Sequence, residues 1–334
     1  VRQVFGSLIR VVHRNPFAFD CAFGINAHSS DWDKLATRML EMKYFFDGDH
    51  KKFDKKMLCF LVQLAIESFG ELIIKCMLFS EKLQPEDVVE LRNMIHIYAI
   101  DTAFAYHDFN GTLMVFFKGH ASGETLTTLV NNFVNMVYLA MAFRRIYPSQ
   151  QDLSFFFQHV VVTTYGDDFI VGVDDEASRF DFLNCQEAME TFGVTITPAS
   201  KDKDGKPFCT FTELEFLKRR FVWCHTLQRW TGPLATDSIS KSLLIGLYEG
   251  NIPREQQSVE IMRSALFEMF FHGRDTFTQF RSDILTCVSQ LGLDDYFNIT
   301  TFPDYDSLVE RYSNTNYVDI FYVVEDIPEF YELD

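Results

Sequence analysis

The stretch HVVVTTYGDDFIVGV, His159 to Val173, holds two adjacent aspartates, Asp167 and Asp168, between two apolar runs. The β-branched residues on either side favour strands, and Gly-Asp-Asp between them suits a tight hairpin turn. A solvated turn asks for no more than that composition. A turn that holds a divalent cation asks for further acids on the same sheet, so the reading rests on what lies elsewhere in the chain.

A second acidic stretch, DGDHKKFDKKM, occupies residues 47–57. Asp49 is expected to end the short apolar strand YFFDGD, with Asp54 five residues later at the start of a helix. If the two strands are neighbours in one sheet, Asp49 and Asp167 meet at the same edge. Carboxylates about 4 Å apart repel by roughly 4 kcal/mol per pair at an effective dielectric of about 20. A divalent cation offsets that repulsion, and an all-oxygen donor set suits Mg²⁺ or Mn²⁺.

A third stretch, GHASGETLTTLVNNF, runs from Gly119 to Phe133. Ser122-Gly123 opens a helix, and a small flexible pair there lets backbone approach a ligand. Thr127 and Asn131 stand at i and i+4 and therefore share one helix face. The pair Asn131-Asn132 inside an apolar helix is unfavourable unless at least one amide finds a partner. The helix beyond it, FVNMVYLAMAF, reads as core packing.

Hydropathy patterning places helices at 1–15, at 30–42 with Ser30 as cap, in one long segment from Asp54 to Phe79, and after Pro85. Asn110-Gly111 marks a hairpin. Helices follow at 124–146 and 176–192, and TELEFLKRRFVWC, residues 212–224, reads as a further strand pair. From about 235 onward the pattern is mainly helical. Strands and helices alternate without a Rossmann or P-loop glycine signature, which makes the class α+β.

Composition narrows the rest. Hydrophobic residues make up 47% of 334, enough for a large buried core and too many for a disordered chain. The net charge of −17 speaks against a simple basic nucleic-acid binder. Residues 301–334 hold nine acids and one Arg, so this end alone supplies −8 and reads as a separate acidic face. Seven cysteines, none in a C-x-x-C pair, point to free thiols in a reducing compartment and no zinc site. No run of apolar residues is long enough for a membrane span. The opening VRQVFGSLIR lacks an initiator Met and is expected to lie inside a longer product.

Taken together, these stretches resemble the palm of viral RNA-dependent RNA polymerases of the picornavirus-like group. Five motifs stand in that family's order. They are D-x4-D at Asp49 and Asp54, S-G-x4-T-x3-N at Ser122, Gly123, Thr127 and Asn131, and Tyr165-Gly166-Asp167-Asp168. FGVTITPASK, ending at Lys201, and FLKRRF, Phe216 to Phe221, complete the set. The likeness extends weakly upstream through VRQVFGSLIRVVHRNP.

The resemblance implies a right-hand polymerase fold: a palm with an antiparallel sheet flanked by helices, a helical thumb and incomplete fingers. It assigns 1–27 to the end of the fingers, 28–95 and 120–222 to the palm, 96–119 to a fingers insertion, and 223–334 to the thumb with the acidic segment. It implies that Asp49 and Asp167 ligate two Mg²⁺ ions, or Mn²⁺, with Asp168 an accessory ligand. Asp54 and Asn131, with Ser122, Gly123 and Thr127 nearby, would read the ribose 2′-OH. Lys201 would protonate pyrophosphate, with Lys203 and Lys206 as alternatives in the same charged turn. Lys218, Arg219 and Arg220 would touch the primer backbone.

The partners implied are template and primer RNA, ribonucleoside triphosphates and other viral replication proteins, in the host cytoplasm at replication complexes. Reverse transcriptases place a bulky aromatic where Asp54 stands, so this alternative is disfavoured. A non-catalytic binding module has no physical reason to keep clustered carboxylates. The family's basic fingers segment, which binds the incoming triphosphate, would precede residue 1, and the sequence offers no evident substitute.

Overall fold

Apolar residues at i, i+3 and i+7 begin the chain, and Phe5, Leu8 and Val12 bury the face of helix α1 (Arg2–Arg14) that they define. The computed structural model describes residues 1–120, 123, 125–150, 152–200, 205–246, 252–296 and 301–314. Two compact units emerge: residues 1–25 with 39–217, and residues 26–38 with 218–334. Helix α2 (Asp31–Met39) belongs to the second unit up to Arg38.

In the first unit, strand β1 (Tyr44–His50) is followed by the short helix α3 (Phe53–Lys56) and the long helix α4 (Cys59–Phe79). The single helix expected from Asp54 to Phe79 is therefore broken at Met57 and Leu58. The cause lies 60 residues away. The Gly119 N–H donates to Met57 O at 2.7 Å, and Leu58 bridges to Lys118. These distant partners satisfy backbone groups that a continuous helix would otherwise have used.

Helix α5 (Val88–Ala103) follows Pro85 as expected. A two-stranded hairpin, β2 (Tyr106–Phe109) and β3 (Thr112–Val115), turns at Asn110 and Gly111. Both turn residues have positive φ, 53° and 84°, which is the demand of a type I′ turn. Helix α6 (Thr127–Ile146), helix α7 (Ser154–His159), and strands β4 (Val160–Tyr165) and β5 (Asp168–Val173) come next. Helix α8 (Phe182–Glu190) starts six residues later than expected, where the Asp181 side chain accepts the Asn184 N–H and caps it. Strands β6 (Ile196–Thr197) and β7 (Glu215–Phe216) close the unit.

Four strands form one antiparallel sheet in the order β4-β5-β1-β6. The register pairs Phe46 with Val171 and Gly48 with Phe169 on β1 and β5, and Val162 with Val171 on β4 and β5. Side chains alternate across a strand, so these residues share one face. That face joins the apolar residues of α4, α6 and α8 in the main core. The opposite face carries Asp47, Asp49 and Asp168. A bare outer edge of β4 would be open to pairing; here its Thr164 is bonded to the 20–22 segment, the Ala22 N–H donating to Thr164 O at 2.8 Å and the Thr164 N–H to Asp20 O at 3.0 Å.

The second unit contains β8 (Arg219–Arg220), β9 (Val222–Cys224) and β10 (Arg229–Thr231). Helices α9 (Thr236–Leu244), α10 (Arg254–Met269), α11 (Arg274–Gln290) and α12 (Tyr305–Ser313) follow. Phe270, Phe277, Tyr305, Leu308 and Tyr312 centre its aromatic core. Trp32 of α2 stacks on Phe221 with ring centres 5.1 Å apart. No helix among the described residues is long and apolar enough to cross a membrane.

Candidate active site

The β4–β5 hairpin turns at Gly166 and Asp167, with Tyr165 facing Asp168 across it. Of the two turn residues only Gly166 has positive φ, 64°, which is the pattern of a type II′ turn. Glycine is the residue that reaches that conformation without steric cost. The sheet register sets Asp49 directly opposite Asp168. Directly opposed residues project to the same face, so both lie away from the helical core. Asp167 stands in the turn beside them, and its carbonyl accepts the His50 N–H at 3.3 Å. A cleft of about 420 Å³ opens there, lined by Asp49, His50, Lys51, Lys52, Phe53, Asp54, Asp167 and Thr197.

Two buried amides of α6 hold the turn. Asn132 Oδ1 accepts the Gly166 N–H at 2.7 Å. Asn135, fully buried, donates through Nδ2 to Gly166 O at 3.0 Å and to Asp168 O at 3.4 Å. Asn135 Oδ1 in turn pairs with His50 Nε2 at 2.9 Å. Burial holds the His50 ring neutral, its pKa pushed down to about 4 despite the bond to Asn135 and the nearby Asp49 charge. The partner required for the Asn131-Asn132 pair is thus the Gly166 turn, bonded to Asn132. Asn135 and His50 escaped the sequence reading. The available signal was Asn135 at i+4 from Asn131, which extends the Thr127–Asn131 stripe by one more turn.

Asp54 sits in α3, its carbonyl accepting the His120 N–H at 2.8 Å. Gly119, with φ 105°, brings this strap close: a Cβ there would lie 3.2 Å from Asp54 O. The strap leads towards Gly123, whose φ of 93° is also left-handed and whose surroundings are open. Ser122 lies outside the described residues. Thr127 is the first residue of α6, so the helix begins three residues later than expected. Asn131 Oδ1 is buried and has no hydrogen-bond partner among the described residues.

Lys201 and Lys203 also lie outside the described residues, and Lys206 is exposed. The segment before Lys201 is fastened by a residue the sequence did not single out. Asp47 accepts the Ala199 N–H at 3.0 Å and the Glu215 N–H at 2.9 Å. Among the three basic residues at 218–220, Arg219 differs from the expected primer contact. Its guanidinium donates to Glu268 at 2.7 and 2.5 Å and to Gly232 O at 2.7 Å. Burial works to raise the Glu268 pKa, but hydrogen bonds from His28 and Arg219 hold it at about 2. Lys218 adopts φ 61° and Arg220 is exposed.

Among the described residues no three His, Cys, Asp or Glu side chains converge into a ready-made metal cage. The donor set still fits a hard cation. Mg²⁺ retains several waters and takes one or two carboxylates plus substrate phosphates, not a closed protein cage. Asp49 and Asp167 lining one cleft, with Asp168 across the register from Asp49, meet that need.

A four-stranded antiparallel sheet, helices on one face and acids at one end of the other, is the palm of a right-hand polymerase. The chain belongs to the viral RNA-dependent RNA polymerase family, whose model matches residues 1–287. It is 24% identical over 292 residues to the replicase polyprotein of Cricket paralysis virus, covering 85% of this chain and 16% of that protein. The replication polyprotein of Nora virus is 30% identical over 201 residues, 60% of this chain and 9% of that protein. The fold matches a Sicinivirus 3Dpol RNA dependent RNA polymerase with a TM-score of 0.69 at 17% identity, covering 94% of this chain and 60% of that one. The chain thus spans a small part of the curated relatives and under two thirds of the solved structure.

Proposed function

We propose that this chain carries the nucleotidyl-transfer centre of an RNA-directed RNA polymerase of a positive-strand RNA virus. The observation that carries the reading is one cleft lined by Asp49, Asp54 and Asp167, with Asp168 opposite Asp49 in the register. In the reaction the primer 3′-oxygen bonds to the α-phosphorus of a ribonucleoside triphosphate and pyrophosphate departs. Two Mg²⁺ ions, or Mn²⁺, held by Asp49 and Asp167 with Asp168 beside them, would activate the 3′-OH and neutralise the leaving group.

The protein's own residues provide positioning, which dominates catalysis of phosphoryl transfer. The Asn132 and Asn135 amides fix the turn that presents Asp167. Asp54 offers an acceptor for the ribose 2′-OH, and Asn131 Oδ1, without a partner among the described residues, offers a second. Gly123 supplies an open, left-handed backbone position nearby in sequence, with Ser122 and Thr127 completing the motif. Lys201 would give a proton to departing pyrophosphate. Lys218 and Arg220 remain candidates for primer contact, whereas Arg219 acts inside its own unit.

Residues 28–95 and 120–222 would form the palm and 223–334 the thumb with its acidic segment, working with template and primer RNA at cytoplasmic replication complexes. The test is Mg²⁺-dependent extension of an RNA primer on an RNA template, with the chain in its complete coding context. Ribonucleotide extension should fall at least about a thousandfold in Asp167→Ala. Asp54→Ala should relax discrimination against deoxyribonucleotides more than it slows ribonucleotide use. No extension by a folded, RNA-binding protein would replace this reading with a non-catalytic one.

A further inference from the structure

Between the two acids of D-x4-D stand two lysines, and the cleft lining includes both. Asp49, Asp54 and Asp167 bring three negative charges to that lining, and Lys51 and Lys52 bring two positive ones. Both lysines are exposed, and neither ammonium has an ion-pair partner among the described residues. Lys56 differs: its Nζ reaches Thr195 Oγ1 at 3.3 Å.

The backbone holds this pair in place. The Lys51 N–H donates to Thr195 O at 2.9 Å, next to the β1–β6 pairing. Lys52 adopts φ 59° and ψ 46° at the start of α3. That left-handed conformation is one that Gly or Asn adopts more readily than Lys. Six other described non-glycine residues share a positive φ, so it is the place of Lys52 on the cleft that marks it.

Resting on the polymerase reading above, we infer that Lys51 and Lys52 form a binding site for the triphosphate of the incoming ribonucleotide. A polyanion entering a cleft rich in carboxylates meets repulsion that bound cations alone must otherwise offset. Two ammonium groups at the same lip reduce that repulsion and attract the β- and γ-phosphates as point charges.

The test compares wild type with Lys51→Ala/Lys52→Ala and the charge-keeping Lys51→Arg/Lys52→Arg, each in its complete coding context. Loss of two partly exposed phosphate contacts should raise the ribonucleotide KM about tenfold, with a far smaller fall in kcat. The arginine pair should restore most of the affinity. Inorganic pyrophosphate should inhibit the alanine variant less strongly, and primer–template affinity, read by fluorescence anisotropy, should hold.

An unchanged KM in an actively polymerising variant overturns the inference. Weakened RNA binding with an unchanged KM also overturns it and assigns the lysines to the nucleic-acid backbone. Equilibrium titration with a fluorescent ribonucleoside triphosphate answers the question separately from turnover. Absence of synthesis by wild type would therefore strike the polymerase reading, while equal triphosphate affinity in wild type and the alanine variant would strike this one.

Discussion

Asn135 Oδ1 and His50 Nε2 lie 2.9 Å apart, and this contact assigns the proton on the ring. Asn135 spends its amide hydrogens on Gly166 O and Asp168 O, so its oxygen faces His50 as an acceptor. His50 must then carry its hydrogen on Nε2. Its Nδ1, buried and without a hydrogen-bond partner among the described residues, is the bare nitrogen of a neutral imidazole.

Truncating the middle of this chain of bonds leaves polar groups unsatisfied on both sides. Asn135→Ala should cost about 2–4 kcal/mol of stability and slow RNA synthesis about a hundredfold, because the turn that presents Asp167 loosens. Urea unfolding and single-turnover extension read the two effects. A normal rate in the destabilised protein would remove the positioning role.

Asp47 is a fastening and not a metal ligand on this geometry. Its two oxygens take the Ala199 and Glu215 N–H groups, and Ala199 lies two residues before Lys201. Asp47→Ala should lower kcat with little change in nucleotide KM, since it frees the segment leading to the proposed proton donor. Asp47→Asn keeps one acceptor oxygen and should recover part of the rate. Steady-state kinetics of the two variants checks this, and an Asp47→Asn no better than Asp47→Ala would count against it.

Gly48 has no room for a side chain. A Cβ there would lie 2.4 Å from Phe169 Cζ, on the ring that covers it across the strand pair. Gly48→Ala should therefore destabilise by about 1–3 kcal/mol through overpacking. Adding Phe169→Leu should return part of the loss, and thermal unfolding of the single and double variants decides the point.

Glu268 gives the second unit a defined acid limit. Its pKa of about 2 lies below the usual glutamate value of about 4.3. The ionised form is thus favoured by folding, and its stabilisation is fully present above the unfolded value. It is lost as pH falls from about 4.5 through 2, with a total on the order of 3 kcal/mol. Glu268→Gln should flatten that part of the stability–pH curve and weaken the unit at neutral pH by stranding Arg219. Unfolding followed by Trp fluorescence between pH 2 and 7 measures it.

Local chemistry was legible where the chain's own neighbours decide the structure. Asn110-Gly111 and Gly166 announce turns because such turns demand positive φ, and tolerance of it is intrinsic to Gly and Asn. Asp49, Asp54, Asp167 and Asp168 stood out through the resemblance of their motifs to the family, and the register sets Asp49 opposite Asp168. The break after Lys56 was not legible, since the bonds that pay for it come from Gly119 and Lys118. Arg219 looked like its neighbours Lys218 and Arg220 until Glu268, 49 residues away, claimed it. Asn135 passed for core packing because a buried amide and a buried aliphatic residue occupy the same place in a hydropathy pattern.

Helix α6 bears Asn131 next to Asn132 and one turn before Asn135, the two amides that brace Gly166 and Asp168. On the proposed reading, sugar choice and speed would share a single mechanical support. A substitution that shifts this rod along its axis would then alter both at once, and the accuracy and pace of copying would not drift independently through changes in its packing.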